Sequence, residues 1–371
     1  MMKLRLVLWL IVASLLVLPR VCFAQFENID SCIAVLKVSK DDTNKVILLN
    51  RIAWDIAYSN LQQGVEYSLK SYELAKKLNY ESYYPRICNT LGSIYLDMAE
   101  LPKALDICLE GLTFAKKQNS YLTEITLYNT LGNIYDKQEN YSKALTYYFE
   151  SVRITKAHSR PKSLPVVYLN IANIYSEFGK LDSALIYAKW SLEGNLKNNN
   201  KNWLANNYIT LSGIYYEVGD KKMCLSTASE AIQISKEMGD DYTLAYAHAQ
   251  LAKALHLNGN AAEAVKMLLT AKKHGLKTGD ISALGQCAQL LSAYYEEIGD
   301  FKNSLLFFKE QDRYKDSSLN EISIKQIKNA EAKFESEKKQ QEIELLYEKQ
   351  KLNEAENHKK KIYLYVALFG I

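Results

Sequence analysis

Side chains able to grip a peptide recur at matching places in this chain of 371 residues. Asn89 and Thr90 are echoed by Asn129 and Thr130, Asn133 is echoed by Asn173, and Asn170 falls in the register of Thr130. A carboxamide carries both a donor and an acceptor, so a row of them can hold the backbone of an extended peptide whatever its side chains. Arg86 adds a planar fork suited to a C-terminal carboxylate. Other chemistry finds no support. His158, His248, His256, His274 and His358 are scattered, with no Cys or carboxylate at metal-ligand spacing. There is no nucleophile elbow, phosphate loop or dinucleotide fingerprint. The carboxylate pairs Asp240-Asp241 and Glu296-Glu297 fall at expected turns or helix ends, where solvation or capping explains them. The residues therefore point to a binding protein with no catalytic residues, no cofactor and no metal.

What must position such a row is a repeat. Leu91-Gly92-Ser93-Ile94-Tyr95 returns as Leu131-Gly132-Asn133-Ile134-Tyr135, as Ile171-Ala172-Asn173-Ile174-Tyr175 and as Leu211-Ser212-Gly213-Ile214-Tyr215, then more loosely at Leu251 and Leu291. A fixed period of about 40 residues is the mark of a solenoid and outranks local secondary-structure arguments. Thirteen residues after each opening Leu or Ile stands a second small or thiol side chain: Ala104, Ala144, Ala184, Cys224, Ala264 and Ser304. Gly92 with Ala104, Gly132 with Ala144, Ala172 with Ala184 and Ser212 with Cys224 mark the close crossing of two antiparallel helices. Each unit is expected to be a helical hairpin. Gly179-Lys180, Gly219-Asp220, Gly259-Asn260 and Gly299-Asp300 supply the turns inside units, and Gly239-Asp240 and Gly279-Asp280 those between them. Tyr95, Tyr135, Tyr175, Tyr215 and Tyr295 share one equivalent site, which reads as core.

In these residues the sequence resembles the tetratricopeptide repeat (TPR) family, whose pattern Tyr128, Leu131, Gly132, Tyr135, Ala144 and Tyr148 fit position by position. The first unit is more degenerate, with Ile52, Ala53, Val65 and Leu69 in the matching places. The repeat departs from the family's usual length of about 34 residues, and the Pro that commonly follows the second helix is missing. The resemblance implies an all-α solenoid of about seven helical hairpins, from about Lys45 to about Tyr314. It also implies a concave face lined by the first helix of each hairpin, carrying Arg86, Asn89, Thr90, Asn129, Thr130, Asn133, Asn170 and Asn173. Asn is common at two of these positions in the family, so a purely structural role stands beside peptide gripping.

The composition bounds the rest. A hydrophobic content of 48% is ample for a core, and the formal charge of +4 includes Lys3, Arg5 and Arg20 near the start, so nothing asks for nucleic acid. Met-Met-Lys-Leu-Arg, an apolar run from Leu6 to Leu18 and Cys22-Phe23-Ala24 before Gln25 predict a secretory signal over residues 1–24, cleaved between Ala24 and Gln25. Residues 25–44 are expected to hold a capping helix in which Ile33 and Leu36 cover the first repeat, with Asp41-Asp42-Thr43 capping the next helix. Cys32, Cys88, Cys108, Cys224 and Cys287 follow no disulfide framework. Cys224 reads as a small buried hydrophobe, while Cys88 and Cys108 fall on facing helices where an oxidising compartment could join them.

The TPR array is expected over residues 45–315 and a charged helix over 316–361. The thin apolar series Ile324, Ile327, Phe334, Leu345 and Leu352 suits either a single solvated helix or a coiled coil between two copies. Lys359-Lys360-Lys361 then precedes an apolar run from Ile362 to Ile371, which reads as the start of a transmembrane helix in a chain cut short. This layout is similar to that of bacterial TPR sensors and regulators: signal, array, charged helix, membrane span, then a kinase or helix-turn-helix output. The expectation is an extracytoplasmic, membrane-anchored module that binds a protein or peptide and passes a signal. A periplasmic scaffold that assembles envelope proteins without signalling is the competing expectation.

Overall fold

A computed structural model describes residues 29–316 apart from Tyr58 and Arg160, together with Tyr347, Lys349, Gln350, Lys351, Glu354 and Lys360. The expected signal and its cleavage site at Ala24 and Gln25, most of the charged segment, its coiled coil and the apolar run from Ile362 lie outside these residues. Among those described, every regular element is helical.

The chain divides into two compact units, Met1–Ile94 and Tyr95–Ile371. In the first, α1 (Ile29–Val38) precedes the pair α2 (Thr43–Ala57) and α3 (Leu61–Lys77). Ile33 and Leu36 of α1 pack against Leu48 and Ile52 of α2, and the Asp42 carboxylate accepts from the Lys45 amide at the start of α2. A short 3-10 turn, Glu81–Tyr83, leads into α4 (Tyr84–Asp97), whose last residues belong to the second unit.

That unit continues with α5 (Leu101–Lys117), α6 (Tyr121–Lys137), α7 (Tyr141–Ala157), α8 (Leu164–Glu177), α9 (Leu181–Lys197), α10 (Lys201–Val218), α11 (Lys221–Met238), α12 (Asp241–Leu257), α13 (Ala261–Thr278), α14 (Ile281–Glu297) and α15 (Phe301–Asp316). From α6 to α15 consecutive helices pack as pairs, and within this unit each second helix also meets the first helix of the next pair. The first unit thus holds the hairpin α2/α3, and the second holds a helical-hairpin solenoid that includes the five pairs α6/α7 to α14/α15.

The turns explain the long repeat. From Asn79 to Gly299, every twentieth residue has positive φ, from Asn79 at 52° and Ala99 at 58° to Gly279 at 72° and Gly299 at 82°. A typical helix has 17 residues, as in α5, and is followed by a C-cap, one left-handed residue and the next N-cap. Two such halves complete a unit, each about one helical turn longer than in the usual TPR hairpin. Most turns close in the same way. The Ser120 amide donates to the Ala115 carbonyl at 2.8 Å and the Asn140 amide to the Tyr135 carbonyl at 2.9 Å, a six-to-one bond that satisfies helix-end acceptors. This stop uses backbone groups alone, so no Pro is needed.

The small-residue crossings take two forms. Ser212 donates to the Cys224 carbonyl at 3.0 Å, and Ala172 and Ala184 are fully buried in one cluster. At Gly132, however, a Cβ would come within 2.3 Å of the Tyr148 ring, so the close approach there serves Tyr148 rather than Ala144. Along the other side of the hairpin, Ser71 donates to the Val46 carbonyl at 2.8 Å and Ser151 to the Ile125 carbonyl at 3.0 Å, tying these two second helices to the start of their partners. Cys32, Cys88, Cys108, Cys224 and Cys287 are all buried free thiols, and burial pushes the Cys108 thiol up.

Candidate functional site

The first helices of successive pairs in the second unit, α6, α8, α10 and α12, touch in sequence. The repeat period places one turn of each beside the same turn of the next. Asn129 and Asn133 on α6 meet Asn170 on α8: the Asn170 Nδ2 donates to Asn129 Oδ1 at 3.2 Å and to Asn133 Oδ1 at 3.0 Å. Asn133 Oδ1 also accepts from the Tyr148 hydroxyl at 2.8 Å. One repeat on, Thr210 on α10 donates to Asn173 Oδ1 at 3.0 Å. These carboxamides are cross-linked rungs. Asn129, Asn133 and Asn170 are half-buried and Asn173 is exposed, so the seam is anchored on one side and open on the other.

The next rung breaks. Gly213 stands in the register of Asn133 and Asn173, and Gln250 of α12 lies beside it, with its amide group 3.7 Å from where a Gly213 Cβ would be. Gln250 is buried and its Oε1 has no partner among the described atoms. An unmet buried acceptor is costly, which makes this gap the place in the seam where an added donor gains most.

The remaining expected residues are placed differently. Thr130 is buried, and its hydroxyl donates back to the Thr126 carbonyl at 3.1 Å, a local helix bond. In the first unit, Thr90 is also buried and accepts from Asn50 Nδ2 at 3.1 Å. Asn89 is half-buried, whereas Arg86 is exposed with its guanidinium 5.7 Å from the centre of the Tyr83 ring. The two threonines therefore serve the helix packing, and the carboxamides carry the exposed chemistry.

Residue spacing did not disclose the charge at the ends of these helices. Burial, with the nearby Glu177 charge adding to it, pushes the Asp136 carboxyl up to about 6. Burial also raises Asp97. On α12, burial holds His248 down to about 4, with His274 and Lys236 adding to the effect. His248 stacks on His274 at 5.6 Å, and His274 Nδ1 lies 2.7 Å from Asp241, which Lys277 also contacts. His256 Nε2 lies 2.5 Å from Glu297 and its ring stacks on Tyr294. The signal in the sequence is a carboxylate in the last turn of most first helices, Asp97, Asp136, Glu177, Glu217 and Glu297, which stands out only once the helix ends are known.

A separate cavity of about 370 Å³ lies among α7, α8 and α9, lined by Pro165, Tyr168, Trp190, Glu193, Lys156 and Lys197 among others. Among the described residues no group of three or more metal-ligating side chains gathers, and no helix is long and apolar enough to cross a membrane.

Comparison with known proteins gives one matched repeat and a fold. A family profile described as tetratricopeptide repeat matches residues 125–158, the α6/α7 hairpin. No curated protein matches the sequence significantly. Among solved structures, the apo form of RapI superposes with a TM-score of 0.60 at 12% identity, covering 73% of this chain and 97% of that one. Aspartyl phosphate phosphatase F from Bacillus subtilis gives 0.59 at 15% identity, covering 76% and 74%. A Rap conjugation gene regulator of a plasmid, solved in complex with a peptide, gives 0.62 at 14% identity, covering 80% and 78%. At these identities the likeness is one of fold, that of TPR-like helical repeat proteins.

Proposed function

We propose that this TPR-like solenoid binds an extended peptide or protein segment along the carboxamide seam of α6, α8 and α10, and that it does no chemistry of its own. The observation that carries the reading is the linked set Asn129, Asn133 and Asn170, which fix one another in place, with Asn173 held by Thr210 one repeat on and exposed at the accessible edge. Preorganised amides lose little side-chain freedom on binding, and they read backbone rather than side chains. In the first unit Arg86 and Asn89 hold the corresponding sequence positions, and Arg86 suits a terminal carboxylate. A fold shared with a regulator solved with a peptide fits this reading.

The finer reading is that the array is the extracytoplasmic sensory part of a membrane-anchored signalling or transcription-regulatory protein. It is supported by the basic start and apolar run before Ala24, and by the charged segment that leads into Lys359-Lys360-Lys361 and the apolar Ile362 to Ile371. In that arrangement the seam faces the periplasm, the C-terminal segment holds the membrane, and the charged segment transmits the signal, alone or as a homodimer.

The test is equilibrium binding of a synthetic peptide pool to the purified protein, followed by Asn133→Ala and Asn170→Ala. Loss of about tenfold or more in affinity for the retained peptides is expected, since each change leaves partner amides unsatisfied. A pool from which nothing is retained, or variants that bind as the parent does, would sink the seam. Alkaline phosphatase fused after Asp316 tests the compartment separately: an inactive fusion removes the extracytoplasmic reading and leaves the seam untouched.

A further inference from the structure

The cavity among α7, α8 and α9 arises where the sequence departs twice from its own repeat. Gly194 on α9 stands where the other second helices of this unit carry Phe114, Ile154, Ile234, His274 and Tyr314. In α13 the side chain at that position covers the first helix of its pair, the His274 ring stacking on His248 at 5.6 Å. Tyr168 holds the His248 position on α8, and Gly194 has no side chain to cover it. Pro165 takes part of the room, since a Cβ on Gly194 would lie 2.5 Å from the Pro165 Cγ. What remains is the space of about 370 Å³.

The second departure is Trp190. Its position holds Glu110, Glu150, Glu230, Thr270 and Glu310 in the other second helices, so the repeat calls for a polar side chain there. Trp190 is 48% exposed, with its ring 5.5 Å from that of Tyr168 and set edge-on to Tyr187 at 5.2 Å. Packing against Pro165 accounts for the glycine, but it does not account for an indole held between two tyrosines and left half in water. The charge around this aromatic wall is uneven. Lys156 at the end of α7 and Lys197 at the end of α9 line the cavity together with Glu193, and all three are exposed. In the preceding pair the ammonium of Lys116, in the Lys156 position, lies 5.5 Å from the centre of the Tyr128 ring, in the Tyr168 position.

We propose that this cavity binds a small aromatic carboxylic acid, either a free aromatic amino acid or the last residue of a peptide. Its ring lies against Trp190 and Tyr168, and its carboxylate is held by Lys156 and Lys197. Two ammonium groups beside an aromatic face complement a planar ring that carries a negative charge, while Glu193 accepts from a nitrogen next to that carboxylate. The volume falls within the range of about 300–1,000 Å³ usual for small-molecule sites. Tyr168 and Asn170 leave α8 about 200° apart, so the cavity and the carboxamide seam occupy different sides of that helix. The proposal holds whatever the seam binds.

Titration calorimetry on the full-length protein in detergent tests this with L-phenylalanine, N-acetyl-L-phenylalanine and L-phenylalaninamide. Saturable binding of at least one of the two acids is expected at millimolar Kd or tighter, and the amide, which lacks the carboxylate, is expected to bind about tenfold or more weakly. Preference for L-phenylalanine marks a free amino acid with its ammonium on Glu193, and preference for the acetyl compound marks a peptide end. Trp190→Thr, and separately Lys156→Gln with Lys197→Gln, are each expected to weaken the preferred acid about tenfold or more. The lysine pair leaves Trp190, Pro165 and Gly194 in place, so it decides the matter even if Trp190→Thr loosens α9. No saturable binding by either acid, equal binding of the amide, or full affinity in the lysine pair would overturn the proposal.

Discussion

Asp136 shows at the scale of one residue how a binding face carries an internal cost. Its carboxyl sits in the last turn of α6, at the negative end of the helix dipole, shielded from water and within reach of the Glu177 charge. Its folded pKa of about 6 lies above its ordinary 3.8, so the native state holds the proton more tightly than the unfolded chain does. That contribution favours the fold fully below the ordinary value and is lost as pH rises through about 6. Asp136→Asn is therefore expected to stabilise the protein by about 1–2 kcal/mol at neutral pH and to have no effect near pH 3.5. Denaturant midpoints at the two pH values check this, and an equal gain at both would show that the charge is not the cause. Gly132 illustrates the opposite constraint: its missing Cβ leaves the space that the Tyr148 ring fills, and Tyr148 in turn holds Asn133 in the seam.

At the scale of the element, the left-handed turn residue decides where each helix stops. Gly occupies that position at 179, 219, 239, 259, 279 and 299, but Ala99 and Glu139 adopt the same backbone with φ of 58°. An L-residue there costs about 1–2 kcal/mol relative to its preferred region, and Gly does not. After allowing for the greater freedom Gly gives the unfolded chain, Glu139→Gly is expected to raise stability by about 0.5–1 kcal/mol. Thermal or denaturant unfolding measures it. A destabilised Glu139→Gly would mean that Glu139 makes a contact worth more than the backbone strain. The Gly residues were legible from sequence as turn formers, and Asn79, Asn119 and Asn199 are of the other type that takes this backbone readily, whereas nothing in Ala99 or Glu139 announces a left-handed turn.

For the molecule as a whole, a solenoid's stability is a sum over neighbours, so protection should follow how completely each pair is covered. Within the second unit the largest buried cluster runs from Leu101 to Ile174, while α15 keeps Phe301, Leu305 and Phe308 exposed. Native-state hydrogen exchange is expected to be slowest in α6 and α7 and faster in α15. Uniform protection from α5 to α15 would indicate one cooperative block instead.

Sequence alone determined the period, the hairpin and the all-helical class, because a residue packed the same way in every unit must recur at the same spacing, as Leu91, Leu131, Ile171 and Leu211 do. It also marked the carboxamides, since a lateral row needs the same register. Only the tertiary structure decided which of them meet. Asn170 bridges Asn129 and Asn133, Thr130 turns back into its own helix, and Gly213 leaves Gln250 without a partner. Repetition specifies which helical turns lie side by side. Hydrogen bonding between those turns depends on side-chain directions and on neighbours such as Tyr148, which are set by packing across helices and leave no mark in the spacing of the residues themselves.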